Sequence, residues 1–333
     1  MSSTIIQKID NLLRSANYET FYLGSFLSKQ SKFCFDLLVK KDNSIFSVKV
    51  FPNIDNLNPT LIRDIKSLSL ILQSKPLLIG VRNRYQKLED NTIYIREGLP
   101  FITLNTFENI LTSNIFPYVL ARRGGGVVFI DGNLMKKIRE THSITRKELS
   151  EKLGVTKRTI SSYENESMRP SEEMAEKIIG VLDDSKIFKN INIFKWNIKF
   201  ETTDVETSEE KELSDFESHV ESIIKELGIS SYWYKRGSIP FKLSMFSSID
   251  QIPDNRFYPI FSTISEGQDE IKEMNFNCLK MFNELFHKTS VCIIDNNVRL
   301  PKAIQKEDIH VVKVKKLEEV EGEEEFIELI QES

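Results

Sequence analysis

The chain has 333 residues, 40% hydrophobic and 28% charged, with a formal net charge of −4; against roughly 150 residues per domain this amounts to about two or three separate cores. Such a composition excludes the disordered, fibrous and membrane-embedded classes. The opening 1–17 alternates apolar and charged residues and lacks the continuous apolar stretch of a signal peptide or membrane span, so the chain should stay inside the cell.

Ile5, Ile6, Ile9, Leu12 and Leu13 recur at three and four, the mark of an amphipathic helix over 4–16. Strand-like runs follow at 20–27, 33–39 and 45–51, separated by polar pieces such as Lys40-Lys-Asp-Asn-Ser44. A helix fits 57–72, with Pro59 tolerated in its first turn, and a buried strand fits 76–81. Weaker strands at 92–95 and 101–104 and a short helix at 106–112 close a first α/β domain, 1–118. The triple glycine in Ala121-Arg-Arg-Gly-Gly-Gly-Val-Val-Phe-Ile-Asp-Gly132 stands beside a strand-like 127–130. No Gly-Lys-Ser/Thr follows at phosphate-loop distance, so 119–130 reads as a hairpin or hinge.

A helical module fits 131–185. Next come a strand at 187–199 and the stretch 201–215, whose seven acids and one Lys make a solvated linker, so that 186–215 is strand and acidic linker. Over 216–333 the first pattern returns: helix 216–227, strands 231–235, 241–246 and 257–264, helix 268–286 and strand 290–294. Phe241-Lys242-Leu243 falls where Phe35-Asp36-Leu37 falls in the first copy. Either this second α/β domain is a degenerate repeat of the first, or two α/β domains of similar size share an order by chance. The acid-rich end around Phe326, Ile327, Leu329 and Ile330 is a short acidic helix or a frayed tail. Cys34, Cys278 and Cys292 are far apart in apolar surroundings and read as buried reduced thiols. His142, His219, His287 and His310 show no ligand spacing.

The module at 131–185 carries the sharpest signals. Thr145-Arg-Lys-Glu148 is a capping box that starts a helix at Arg146. Gly154 ends it and permits the left-handed turn that a short connection needs, with Val155 as an apolar plug, and Thr156 caps the next helix. Leu149, Leu153, Ile160 and Tyr163 project into a core shared with Leu134, Ile138, Met174, Ile178 and Leu182. Ser150 is small where two helices cross. In all, five short amphipathic segments fill 134–182. Subtracting the buried positions leaves Lys157, Arg158, Thr159, Ser161 and Ser162 on the outer side of the third helix. Between Leu134 and Arg169 nine basic residues stand against five glutamates, so the local balance opposes the sign of the whole chain. This face suits the major groove of double-stranded DNA. Lys157 and Arg158 would donate to guanine O6 and N7, Thr159 or Ser162 would reach other base edges with Thr156 beside them, and Arg146 and Arg169 would meet phosphates. The bland alternative is a helical bundle for protein contacts, its lysines solvated.

The run Thr145-Arg-Lys-Glu-Leu-Ser-Glu-Lys-Leu-Gly-Val-Thr-Lys-Arg-Thr-Ile-Ser-Ser-Tyr-Glu-Asn165 resembles the Cro/XRE-type repressor helix-turn-helix. With Gly-Gly-Gly-Val-Val-Phe-Ile-Asp-Gly before it and a long α/β domain ahead of that, the chain is similar to the archaeal HTH-type transcriptional regulatory proteins. The pattern often has Gln where Arg146 stands and Gly where Glu166 stands. The first domain, with Asp36 on its second strand and Ser47-Val48-Lys49 on its third, is similar to the restriction-endonuclease-like core. In that family an Asp and a Glu bind Mg²⁺ while a Lys two residues on steadies the attacking water. Ser47, a poor hard-cation ligand, stands at the second acid, unless Glu19 or Asp55 substitutes. The second copy has Lys242 in place of the Asp and no acid-x-Lys in 257–266.

These resemblances imply a multidomain α/β plus all-α fold: a restriction-endonuclease-like domain, a five-helix lambda-repressor-like module, and the second α/β domain over 216–333. They imply a cytoplasmic, nucleoid-associated regulator that binds duplex DNA as a homodimer, needs no cofactor or metal, and is free to touch the transcription machinery through its α/β domains. Asp36 and Lys49 are then vestigial catalytic residues, an ion pair or turn partners, and the chain is not an enzyme. The rival is a Mg²⁺-dependent DNA-processing or genome-defence protein. No nucleophile elbow, P-loop, dinucleotide fingerprint or CxxC is present in the sequence.

Overall fold

The computed structural model describes residues 2–22, 33–42, 44–72, 74–122, 125–196, 213–234, 241–247, 258–267, 276, 279–280, 282–284, 287–299 and 309–332. The chain forms two compact units, Met1–Tyr18 with Val48–Leu57 and Leu77–Lys199, and Glu19–Ser47 with Asn58–Pro76 and Phe200–Ser333.

The first unit opens with α1 (Ser2–Ser15), which buries Ile6, Ile9 and Leu13 on one face as their spacing requires. Its sheet runs β3 (Ser44–Asn53), β4 (Lys75–Arg82), β6 (Leu99–Ile102), β5 (Thr92–Arg96), β7 (Val119–Arg122), β8 (Gly125–Val128). β4 is parallel to β6, and β5 is antiparallel to β6 and parallel to β7. α3 (Leu104–Ser113) is capped by Thr103, whose side chain accepts the Thr106 N–H. The glycine-rich segment is a hairpin, with Val119 opposite Val128 and Arg122 opposite Gly125, and it adds two strands to the sheet edge. α4 (Gly132–Thr141), α5 (Arg146–Leu153), α6 (Lys157–Glu164) and α7 (Glu172–Leu182) follow directly.

The second unit holds β1 (Glu19–Tyr22) antiparallel to β2 (Leu37–Lys41), together with α2 (Pro59–Ile71), which starts on the proline. It also holds α8 (Asp215–Glu226) and the five-stranded sheet β13 (His310–Lys313), β12 (Ser290–Ile294), β11 (Ile260–Ser265), β10 (Leu243–Ser247), β9 (Ile229–Trp233). β9, β10 and β11 pair antiparallel; β11, β12 and β13 pair parallel. α9 (Val314–Leu317) and α10 (Glu323–Gln331) end the chain. The acidic end is thus a helix, held by the buried Phe326 and Ile330. Phe35 and Phe241, each two residues ahead of its strand, both pack on Phe282, with ring centroids 6.1 and 5.0 Å away. The Tyr232 hydroxyl donates to the buried Asp64 carboxylate at 3.0 Å.

Helix, three strands, helix, strand recurs over the two α/β regions; in the second copy residues 276, 279–280 and 282–284 are helical, and the remainder of the helix expected at 268–286 lies outside the described residues. Several expectations need correction. The second strand starts at Leu37, not at 33, because Phe33, Cys34 and Phe35 are buried one by one before the ladder begins; Asp36 therefore precedes its strand. Of the strand expected at 187–199, residues 197–199 lie outside the described residues, and the rest is bent through two 3-10 turns, Ser185–Ile187 and Ile193–Lys195, each started by an Asp or Asn side chain that accepts a backbone N–H. The module has four α-helices, and its fifth helical segment is the first of these 3-10 turns. Of the acidic stretch, 201–212 lies outside the described residues, and Asp215 opens α8 behind the capping residue Ser214. Cys34 and Cys292 are buried and in no disulfide, and burial pushes the Cys292 thiol up to about 12; Cys278 lies outside the described residues.

Candidate nucleic-acid interface

The capping box at the start of α5 is complete. The Glu148 N–H donates to the Thr145 hydroxyl at 3.2 Å, and the Thr145 N–H donates to the Glu148 carboxylate at 2.7 Å, which holds that carboxyl below its usual range. α5 ends on Gly154 at φ +66°, whose N–H returns to Ser150 and Glu151 carbonyls. After Val155, α6 is started by Thr156, whose hydroxyl accepts the Thr159 N–H at 3.1 Å. Leu149, Leu153, Ile160, Tyr163, Ile178 and Leu182 are buried in one cluster with Ile130, Met135 and Ile187, and Leu134, Ile138, Val155 and Met174 pack against it. The apolar set read from the sequence is therefore the observed core.

The buried face of α6 fixes its other face. Lys157 and Arg158 are exposed, as is Thr156, while Thr159, Ser161 and Ser162 are half-buried. The Thr156 and Thr159 hydroxyls lie 2.9 Å apart in a mutual hydrogen bond, so both are partly committed to the cap. Ser161 Oγ accepts a long contact from Asn165 Nδ2, 3.5 Å.

Sequence reasoning missed the buried centre behind this face. Glu164, with 1% of its side chain exposed, accepts from Arg139 Nε at 2.6 Å and from Arg146 Nε at 2.8 Å. Arg139 also donates to the Ile144 carbonyl at 2.7 Å. Arg139, counted from the sequence only in the local charge balance, is thus an interior cation. Arg146 is 43% exposed, anchored through Nε at the first position of α5. The only sequence signal was an arginine and a glutamate at core-facing positions of two amphipathic helices.

Glu166, where the family pattern often has Gly, adopts φ +58°, the left-handed conformation in which glycine carries no Cβ penalty. Its carboxylate accepts the Gly132 N–H at 3.1 Å and the Lys189 ammonium at 2.6 Å, contacts that offset the strained backbone and keep the carboxyl below its usual range. The loop after α6 is also sewn to the hairpin. The Val128 N–H donates to the Pro170 carbonyl at 3.0 Å, Val127 bridges Ser171, and the Arg169 guanidinium lies 3.8 Å over the Phe129 ring. On the far side, the Asp131 N–H donates to Ile187 and the Lys189 N–H to Phe129, while Tyr118 stacks on Phe188 at 5.8 Å. Between the hairpin, the β4–β5 connection and the first turn of α7 lies a cleft of about 860 Å³ lined by side chains of both signs, among them Arg84, Arg122, Glu89 and Glu172.

The nuclease-like positions are placed differently. Asp36, Ser47 and Lys49 are all buried, and Glu19 is exposed. Asp55 accepts the Arg84 N–H at 2.8 Å and the Arg96 Nε at 2.6 Å, which lowers its pKa and commits it to an ion pair. Among the described residues no three His, Cys, Asp or Glu side chains come together in a group able to hold a metal ion.

Comparison with known proteins agrees with both parts. A PD-(D/E)XK superfamily domain matches residues 2–117, and a Helix-turn-helix domain matches residues 135–186. A curated relative from Methanocaldococcus jannaschii is 28% identical over 330 residues, 99% of this chain and 96% of its own. One from Methanococcus maripaludis strain C5 is 30% identical over 275 residues, 81% of this chain and 83% of its own. One from Archaeoglobus fulgidus is 27% identical over 268 residues, 80% of each. All three carry the name "Putative HTH-type transcriptional regulatory protein". No solved structure matches the chain.

Proposed function

Since the chain belongs to the family of archaeal HTH-type transcriptional regulatory proteins, we propose that it is a sequence-specific regulator that reads the major groove of double-stranded DNA with α6. The observation that carries this reading is the open, cationic side of α6, with Lys157 and Arg158 exposed at its first turn and the opposite side locked in the core. Inserted by its N-terminus, α6 brings Arg158 and Lys157 to guanine O6 and N7 and Ser162 to neighbouring base edges; Thr159 does so only by releasing its bond to Thr156. Arg146, held by Glu164, and Arg169, stacked on Phe129, meet phosphates and set the register. One such module reads few base pairs, so two copies of the chain acting on paired half-sites account for specificity.

We assign no cleavage to the α/β domain, because Ser47 occupies the second acid position and Asp55 is spent on Arg96. Supercoiled plasmid incubated with the full chain and Mg²⁺ or Mn²⁺ stays intact on this reading. Nicking that disappears with Asp36→Ala would restore the enzymatic alternative. For the regulator itself, a fluorescent duplex titrated with the full chain should bind with an affinity that falls as salt rises. Replacing Lys157 and Arg158 together by Ala should weaken binding to the preferred duplex by ~2 kcal/mol or more. An unchanged affinity in that variant removes α6 from the interface.

A further inference from the structure

Arg122 ends β7 and is exposed; Arg169, in the loop between α6 and α7, is exposed and lies close enough for the two guanidinium charges to disfavour each other. Among the described residues neither pairs with a carboxylate. β8 returns antiparallel to β7, its Val127 bridges Ser171 and its Val128 N–H donates to the Pro170 carbonyl, so the hairpin is stitched to the residues just after Arg169. Phe129, which follows β8, lies under the Arg169 guanidinium at 3.8 Å, a distance at which the ring face holds the cation without a counter-charge. The hairpin therefore sets a second cation beside the last loop of the helix-turn-helix.

We propose that the β7–β8 hairpin is a second element of the DNA interface, a wing on which Arg122, next to the Phe129-supported Arg169, binds a phosphate of the duplex flanking the groove that α6 occupies. The inference rests on the reading of α6 as the major-groove element and adds a contact that carries no base information. It gives the glycine-rich segment a use: Gly126 lets β8 lie close to β7 and α7, since a Cβ there would stand 2.6 Å from Val119 Cγ1 and 3.2 Å from the Glu172 carboxylate, and Val119 would have to shift.

The test titrates labelled duplex of mixed sequence with the full chain over a salt series, using wild type, Arg122→Gln, Arg122→Lys, Arg122→Glu and Phe129→Leu, with thermal melts to verify folding. Arg122→Gln should flatten the slope of log affinity against log salt by ~0.9 and weaken every duplex alike. Arg122→Lys should restore the slope, and Arg122→Glu should weaken binding further than Arg122→Gln. Phe129→Leu should flatten the slope by loosening Arg169. Wild-type slope and affinity in Arg122→Gln and Arg122→Glu, while Lys157 and Arg158 substitutions still weaken binding, overturn the wing and leave α6 standing. A wild-type chain that binds no duplex at all overturns both.

Discussion

A Cβ built on Gly132 would stand 2.1 Å from the Glu164 carbonyl oxygen and 2.8 Å from that of Tyr163, so the start of α4 meets the end of α6 backbone to backbone. No flexible side chain is there to yield. Gly132→Ala should therefore lower the stability of the module by about 3 kcal/mol, the upper end for overpacking, measured as a drop in melting temperature; a variant as stable as wild type contradicts this packing. Glu164 is the second residue on which the module turns. With it removed, Arg139 stays buried with 7% of its side chain exposed and loses its best partner. Breaking a buried ion pair from one side costs about 3 kcal/mol or more, so Glu164→Ala should destabilise the chain by that order in denaturant unfolding and also release Arg146. Neither residue was legible in the sequence. Gly132, Arg139 and Glu164 carry no local mark of these contacts, because sequence shows type and spacing but not which backbone or side chain lies opposite.

At the scale of elements, the legible features are those written locally. The capping box at Thr145, the left-handed Gly154, the cap at Thr156 and the apolar spacing of α5, α6 and α7 each need only a few neighbouring residues, and all are observed. They also predict energetics. Thr145→Ala and Thr156→Ala should each cost about 1 kcal/mol in unfolding free energy, while Thr156→Ala also frees the Thr159 hydroxyl and so changes stability and binding together; losses within error of zero would mean the caps contribute nothing. The misread elements are those shaped from outside. Ile187 and Ile193 are buried while Phe188 and Ile191 are half-buried, a pattern that mimics a strand. Their backbone instead goes to scattered partners, such as the Ile191 N–H to the Pro117 carbonyl and the Ile187 carbonyl to the Asp131 N–H, and the chain bends through 3-10 turns between them. The loop after α6 has the same origin: Glu166 takes a glycine's conformation because Gly132 and Lys189 are there to hold its carboxylate.

At the scale of the molecule, the order of helices and strands was readable. The grouping of the α/β parts was not. β1, β2 and α2 belong to the same unit as the C-terminal sheet, where Phe35 reaches Phe282 and Asp64 accepts from Tyr232, long-range pairings that hydrophobic pattern alone does not specify. The first unit carries the helix-turn-helix module, rooted in its sheet through β7 and β8, with Lys157 and Arg158 of α6 exposed. Selection of bound duplexes from a randomised pool, run with wild type, Arg158→Ala and Arg146→Ala, tests that account most directly. Wild type should enrich one sequence; Arg158→Ala should lose preference at particular base pairs, and Arg146→Ala should enrich the wild-type sequence while binding every duplex more weakly. Identical behaviour of the two variants, or a wild-type pool with no enriched sequence, would contradict it.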